Sequence, residues 1–159
     1  MQNFASRTEA TRDDWMTPKG IVDSLGVFDL DPCASSLDPT RLATAGFTEA
    51  MDGLTQVWHG RVWLNPPYGD ATREWIKKLA RHPNGIALIP PRVGSKWFHK
   101  EVLETCDAVL FLKGRIAFID PSTMKPVKGN NVDSILVAFG AGNVQALKNC
   151  GLQGKLWVI

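Results

Sequence analysis

Residues 65–68 read Asn-Pro-Pro-Tyr and follow the short run Arg61-Val62-Trp63-Leu64. That run has the alternating, β-branched and aromatic character of a buried strand. Neither Pro66 nor Pro67 has an N–H to donate, and both fix φ, so ladder pairing must stop and the backbone leaves the sheet stiffly. The carboxyl ends of strands are where open α/β sheets bind ligands. An isolated Pro-Pro would be an ordinary loop with a surface tyrosine; the whole string after a strand is a candidate ligand-facing turn. Two more strand ends carry unusual chemistry. Ile89-Pro90-Pro91-Arg92 repeats the strand-then-prolines design, and Asp29-Leu30-Asp31-Pro32-Cys33-Ala34 sets a carboxylate at the tip of an apolar run. A carboxylate there must be paired or face a ligand, unless Asp31 serves only as a turn former before Pro32.

Other chemistries find less support. Cys33, Cys106 and Cys150 are odd in number, with no CxxC or Cys/His metal spacing, which fits a reducing compartment and argues against a zinc site. His59, His82 and His99 are scattered and read as surface or supporting groups, so no metal is expected. Charge is uneven. Residues 1–70 carry five Lys/Arg against ten Asp/Glu, whereas 71–128 carry eleven against five. A basic second half suggests a polyanionic partner, because neutralised phosphates release counterions. Lys77, Lys78 and Arg81 are assigned to a solvated helix face; Arg92, Lys96, Arg115, Lys125 and Lys128 stand in loop-like sequence near the motifs.

The elements that must position these groups are legible in part. The 159 residues suffice for one sizeable core, and 44% hydrophobic with 21% charged residues is an ordinary globular balance. No apolar run approaches the ~18 residues of a membrane span. The polar, mixed-charge start reads as a flexible tail over 1–13, neither signal peptide nor anchor, before a single domain over 14–159 and a cytoplasmic location. Thr17 reads as the N-cap of a short helix with Pro18 in its first turn and Gly26 as its stop. Strands are expected at Val27–Asp31, Arg61–Leu64, Gly85–Ile89, Ala108–Leu112, Ile116–Ile119, Ser134–Phe139 and Leu156–Ile159. Helices are expected at Thr72–Arg81 and, capped by Ser95, over Ser95–Cys106; residues 33–51 read as loop and short helix. Alternating strands and helices give an α/β, doubly wound domain with a mostly parallel sheet. The polar connection Asp120–Asp133 adds an antiparallel hairpin at one edge.

Taken together the motifs resemble those of the S-adenosylmethionine-dependent amino-methyltransferases of DNA. Within them the pattern is similar to the phage-type N6-adenine methyltransferase (Dam) family. The matching pieces are Asp14-Trp15-Met16-Thr17-Pro18, Asp29-Leu30-Asp31-Pro32-Cys33-Ala34, Asp52-Gly53-Leu54 with Trp58, Asn65-Pro66-Pro67-Tyr68, Trp97-Phe98-His99 and Gly114-Arg115. They span about Asp14 to Phe139. The chain departs from many methyltransferases in lacking a Gly-x-Gly loop, with Ala34-Ser35-Ser36 in its place.

The resemblance implies a Rossmann-like methyltransferase fold, S-adenosylmethionine as cofactor and DNA as partner. Thr17 and Asp31 would hold the methionine end, with Trp15, Pro18, Pro32, Cys33 and Ala34 around the cofactor and Asp52 near its adenine or ribose. An exocyclic adenine amine is a poor nucleophile, because its lone pair is delocalised into the ring. Hydrogen bonds to the Asn65 side-chain oxygen and the Pro66 carbonyl, fixed by Pro67, would favour a pyramidal nitrogen, and Tyr68 would offer a face for an extruded base. Arg92, Lys96, Trp97, Arg115, Lys125 and Lys128 would meet the DNA. Only Val93-Gly94-Ser95 and Pro121–Asn131 offer loops to read bases, so a short or relaxed sequence context is expected. Two alternatives stay open: methylation of a protein glutamine amide, which poses the same nitrogen problem, and a catalytically idle nucleic-acid-binding module.

Overall fold

A computed structural model of the chain describes residues 14–127 and 132–159. The expected tail over 1–13 and Lys128 lie outside the described residues. The strands are β1 (Leu30–Asp31), β2 (Ala45–Gly46), β3 (Val62–Leu64), β4 (Gly85–Ile89), β5 (Ala108–Leu112), β6 (Ile119–Asp120), β7 (Lys125–Pro126), β8 (Ile135–Phe139) and β9 (Gly154–Val158). The helices are α1 (Lys19–Asp23), α2 (Thr72–Arg81), α3 (Lys96–Phe98) and α4 (Ala141–Asn149), with a 3₁₀ turn at Glu49–Met51 and a π turn at His99–Leu103.

Seven strands form one mixed sheet in the order β2-β1-β3-β4-β8-β5-β9. β2, β1, β3 and β4 are parallel neighbours. β8 runs antiparallel between β4 and β5, and β9 closes that edge antiparallel to β5. β3, β4 and β8 are buried throughout, because helices cover both faces. On one face Trp75, Ile76 and Leu79 of α2, with Phe98 and Val102, pack on Val62, Leu64, Ala87 and Ile89. On the other, Val22 of α1 and Leu25 just after it, with Val144 and Leu147 of α4, pack on Trp63, Ile86 and Leu88. The apolar positions of α2 recur at helical spacing and all face inward. Its bounds match the sequence expectation, as do those of β4 and β5.

Several expectations need correction. Thr17 does not cap α1: Pro18 precedes the helix and no side-chain cap bond forms, while the Thr17 hydroxyl is engaged elsewhere. Ser95 occupies the N-cap position of α3 as expected, but its hydroxyl donates to the Arg92 carbonyl at 2.7 Å and makes no side-chain cap bond. That helix leaves α geometry at His99, whose carbonyl accepts from Glu104 N–H at 3.0 Å, while the Thr105 hydroxyl takes the Glu101 carbonyl. Of the strand expected at Ile116–Ile119, only Ile119 pairs, because β8 and β9 already occupy both edges of β5. β6 instead forms a separate ribbon with β7, and Ile116 and Phe118 turn into the core. Of the run before Asp31 only Leu30 is in regular strand, although Phe28 and Asp29 already hydrogen-bond to Thr44, Ala45 and Arg61. β2 and α4 were not expected at all.

Candidate active site

Because β1, β3 and β4 are parallel, their carboxyl ends Asp31, Leu64 and Ile89 open on one rim of the sheet. The start of β8 and the end of β5 reach the same rim, through the pairings Ile89–Ile135 and Phe111–Ile135. All three proline-terminated strand ends therefore gather there. Side chains alternate along a strand. Leu30, Val62 and Leu64 face the α2 side and Trp63 the α1 side, so Asp31 and Asn65 both fall on the α1 side.

Asp31 is 5% exposed. Its Oδ1 accepts from Cys33 N–H at 3.0 Å. Burial pushes its carboxyl up from the ordinary 3.8 to about 7, against the lowering effect of that hydrogen bond. Burial and the adjacent Asp31 carboxylate likewise push the Cys33 thiol well up, so Cys33 is no thiolate nucleophile. A buried carboxylate held by one backbone N–H, with no cationic neighbour among the causes of its shift, is suited to a positively charged ligand.

The Asn65–Tyr68 turn is pinned at three points. Asn65 Nδ2 donates to Thr17 Oγ1 at 3.1 Å. The Thr72 hydroxyl, from the first residue of α2, donates to the Pro67 carbonyl at 2.7 Å and accepts from Gly69 N–H at 3.1 Å. The Tyr68 hydroxyl is buried without completing a hydrogen bond, beside the equally unsatisfied Ser134 hydroxyl before β8. Burial, only partly opposed by Ser134, pushes the phenol up to about 12, so it stays neutral. Thr72 and Ser134 escaped sequence reasoning; Thr72 alone left a signal, as a threonine opening a helix just after the turn.

Thr17 itself is 1% exposed. Its carbonyl accepts from Arg41 Nη1 at 2.7 Å, and Met16 exchanges backbone hydrogen bonds with Ile119 at 3.0 and 2.8 Å. Trp15 is half-buried against the α1-side core. Pro32 and Ala34 are buried behind Asp31. Asp52 is exposed in a left-handed conformation (φ 51°), with Oδ1 accepting from Leu54 N–H at 3.3 Å. The next residue explains how its turn reaches the site: a Cβ on Gly53 would collide with the Pro32 carbonyl. Lys78 holds the same turn, correcting its assignment to a solvated face. Its Nζ donates to Leu54 O at 2.6 Å, Gly53 O at 3.3 Å and Gln56 O, and lies 5.0 Å from the Trp58 ring centre. Burial lowers its pKa, partly offset by Asp52.

Arg92, Lys96 and Lys125 are exposed. Arg115 pairs with Asp133 at 3.3 Å and lines a groove of about 420 Å³ with Pro18, Leu112 and Ile119. Trp97 is half-buried edge-on to Phe98, which is core. Among the described residues no group of three or more His, Cys, Asp and Glu side chains could hold a metal ion, and no helix is long and apolar enough to cross a membrane.

With this geometry in hand, residues 5–145 match the family model described as DNA N-6-adenine-methyltransferase (Dam). The chain belongs to that family. Two relatives carry the name DNA N-6-adenine-methyltransferase. The protein of Escherichia phage T1 is 29% identical over 152 residues, covering 80% of this chain and 63% of its own length. That of Haemophilus phage HP1 (strain HP1c1) is 27% identical over 149 residues, covering 87% and 85%. The chain thus spans under two thirds of the phage T1 protein. No solved structure gives a significant match. The Dam assignment agrees with the family expected from the motifs, and the mixed seven-stranded α/β sheet agrees with its Rossmann-like fold.

Proposed function

We propose that this Dam-family protein transfers a methyl group from S-adenosylmethionine to the N6 amine of adenine in DNA. The observation that carries the reading is Asp31 and Asn65 on one face of one rim: a buried carboxylate wanting a cation beside a stiff amide-bearing turn. The Asp31 environment fits S-adenosylmethionine, whose sulfonium and ammonium are both cationic; when bound, the cofactor supplies an electrophilic methyl group. Asp31 would hold the cationic end, with Trp15 and Pro18 on one side and Pro32, Cys33 and Ala34 on the other. Asp52 is carried toward the same loop by the Gly53–Pro32 contact.

The chain's own part in the chemistry is positioning. Asn65 Oδ1 and the Pro66 carbonyl accept hydrogen bonds from the two amine N–H groups and so localise the nitrogen lone pair, and one proton leaves to solvent once the N–C bond has formed. The turn need not reorganise to do this, because Thr72 and the two prolines already hold it. Tyr68 presents its neutral ring to the extruded base, and Trp97 flanks it. Arg92, Lys96, Arg115, Lys125 and Lys128 meet phosphates, which position the duplex without specifying sequence. We read residues 14–159 as one doubly wound methyltransferase domain, with an antiparallel β8-β5-β9 segment, acting in the host cytoplasm on a short or relaxed site.

The test is methylation of plasmid DNA with labelled cofactor, followed by nucleoside analysis and long-read sequencing for context. N6-methyladenine dependent on Asn65 supports the reading. Transfer only to a protein acceptor, or none, sinks it.

A further inference from the structure

We infer that Thr17 is the residue that orients the Asn65 amide, acting on methyl transfer through Asn65 and not through the cofactor. This rests on the adenine-methylation reading above and adds a positioning residue to it. An asparagine side chain is nearly symmetric in shape, and either its oxygen or its nitrogen can face a substrate. For Asn65 to accept a hydrogen bond from an amine N–H, the oxygen must point out and the nitrogen must be held back. The Thr17 hydroxyl oxygen lies 3.1 Å from Asn65 Nδ2, where it accepts the amide N–H and leaves Oδ1 on the opposite side.

The hydroxyl is placed rigidly enough for the task. Thr17 is 1% exposed, so water does not compete for the bond. On its N-terminal side Met16 is bridged in both directions to Ile119. Its carbonyl is held by the Arg41 guanidinium at 2.7 Å. On its C-terminal side Pro18 has φ −55° and no N–H, which stiffens the approach to α1. Segments remote in sequence (Arg41 and Ile119) thus fix the Met16–Pro18 backbone that sets the Thr17 hydroxyl against the amide. The structure also accounts for the failure of Thr17 as a helix cap: its hydroxyl is engaged by Asn65, 48 residues away.

The test compares Thr17→Val, which keeps the shape and removes the oxygen, with Thr17→Ser, which keeps the oxygen. Methyl transfer is measured at saturating DNA and cofactor, and S-adenosylmethionine affinity separately by calorimetry. Thr17→Val should lower kcat by roughly tenfold to a hundredfold, the effect of leaving one buried donor unsatisfied, while cofactor Kd stays within about threefold. Thr17→Ser should restore most of kcat. In ¹⁵N spectra of the free protein the Asn65 side-chain amide should be shifted and slow to exchange in wild type and Thr17→Ser, and ordinary in Thr17→Val. A large rise in Kd with kcat intact would overturn the inference and return Thr17 to the cofactor. An unchanged kcat would also overturn it. If Asn65→Ala itself transfers methyl normally, the adenine-methylation reading has failed; if Asn65→Ala is inactive and Thr17→Val normal, only the inference has.

Discussion

Replacing Asp31 by Asn should make the free protein more stable and a worse enzyme. Burial holds the Asp31 carboxyl at about 7 against an ordinary 3.8. A folded-state value above the unfolded one means that the fold favours the protonated form. The contribution of Asp31 is therefore fully present below about pH 4 and is lost as pH rises to about 7. A gap of roughly three pH units, at about 1.4 kcal/mol each, puts the cost of the ionised group near 4 kcal/mol as an upper figure. The Asp31→Asn variant keeps an oxygen to accept the 3.0 Å bond from Cys33 N–H and carries no charge to desolvate. Above pH 7.5 it should exceed the wild type by about 2–4 kcal/mol, or ~5–15 °C in Tm, with the two proteins converging near pH 4–5.

The same carboxylate should be what the cationic cofactor seeks. Binding would hold Asp31 ionised, so between pH 5 and 7 affinity should rise with pH, and calorimetry in buffers of differing ionisation enthalpy should detect proton release. Asp31→Asn should weaken binding by roughly tenfold to a hundredfold, the loss of a charge-assisted contact. Urea and thermal unfolding across pH 4–8 read the stability arm. A stability difference independent of pH, or a variant less stable than wild type at pH 8, would refute the argument from burial. Higher stability with unchanged cofactor affinity would return Asp31 to a turn former.

Other substitutions separate the parts of the rim. Asn65→Ala should abolish transfer while cofactor affinity, by calorimetry, stays within a few-fold; equal losses of both would contradict its assigned role. Tyr68→Phe should keep transfer within about threefold and cost no more than ~1 kcal/mol in urea unfolding, because the hydroxyl it removes meets only Ser134 and outside good hydrogen-bond geometry, whereas Tyr68→Ala should lose the stacking face and most activity. Lys78→Met should cost about 1.5–3 kcal/mol by removing a charged donor from three carbonyls of the 53–56 turn; an unchanged midpoint counts against that staple.

Sequence reasoning reached the parts of this rim that are marked by backbone chemistry. Prolines after apolar runs announce where strands must end, so Asp31, Asn65 and Pro90 were found as candidates without coordinates. It failed where a role depends on which distant segment arrives opposite. Thr17 before Pro18 has the local grammar of a helix cap, and nothing within several residues reveals that its partner is Asn65. Lys78 sits in a run of basic residues on an amphipathic helix, and only the fold brings the 53–56 carbonyls over it. β2 is two residues long, too short for periodicity, and α4 carries only Val144 and Leu147 with Asn143 as inward positions.

The far end of the sheet supplies the contrast that gives the rim its meaning. There Arg61 donates to Asn143 Oδ1 at 2.6 Å, Leu25 O at 2.8 Å and Val27 O at 3.0 Å, and lies 4.1 Å from the Phe28 ring centre. Asn143 in turn donates to Asn84 Oδ1 at 3.1 Å and Phe139 O at 2.7 Å. Polar groups at that end satisfy one another, as a structural network should. At the rim, Asp31 stays charged at the expense of stability above pH 7, and the Tyr68 and Ser134 hydroxyls sit buried without completed bonds. Both ends are drawn from the same strands and share the same cores, so a general looseness of packing does not explain the difference. The Trp63 indole N–H, in the middle of β3, also lacks a partner; what distinguishes the rim is several unanswered polar groups brought together, the state expected of groups whose partners arrive with cofactor and substrate.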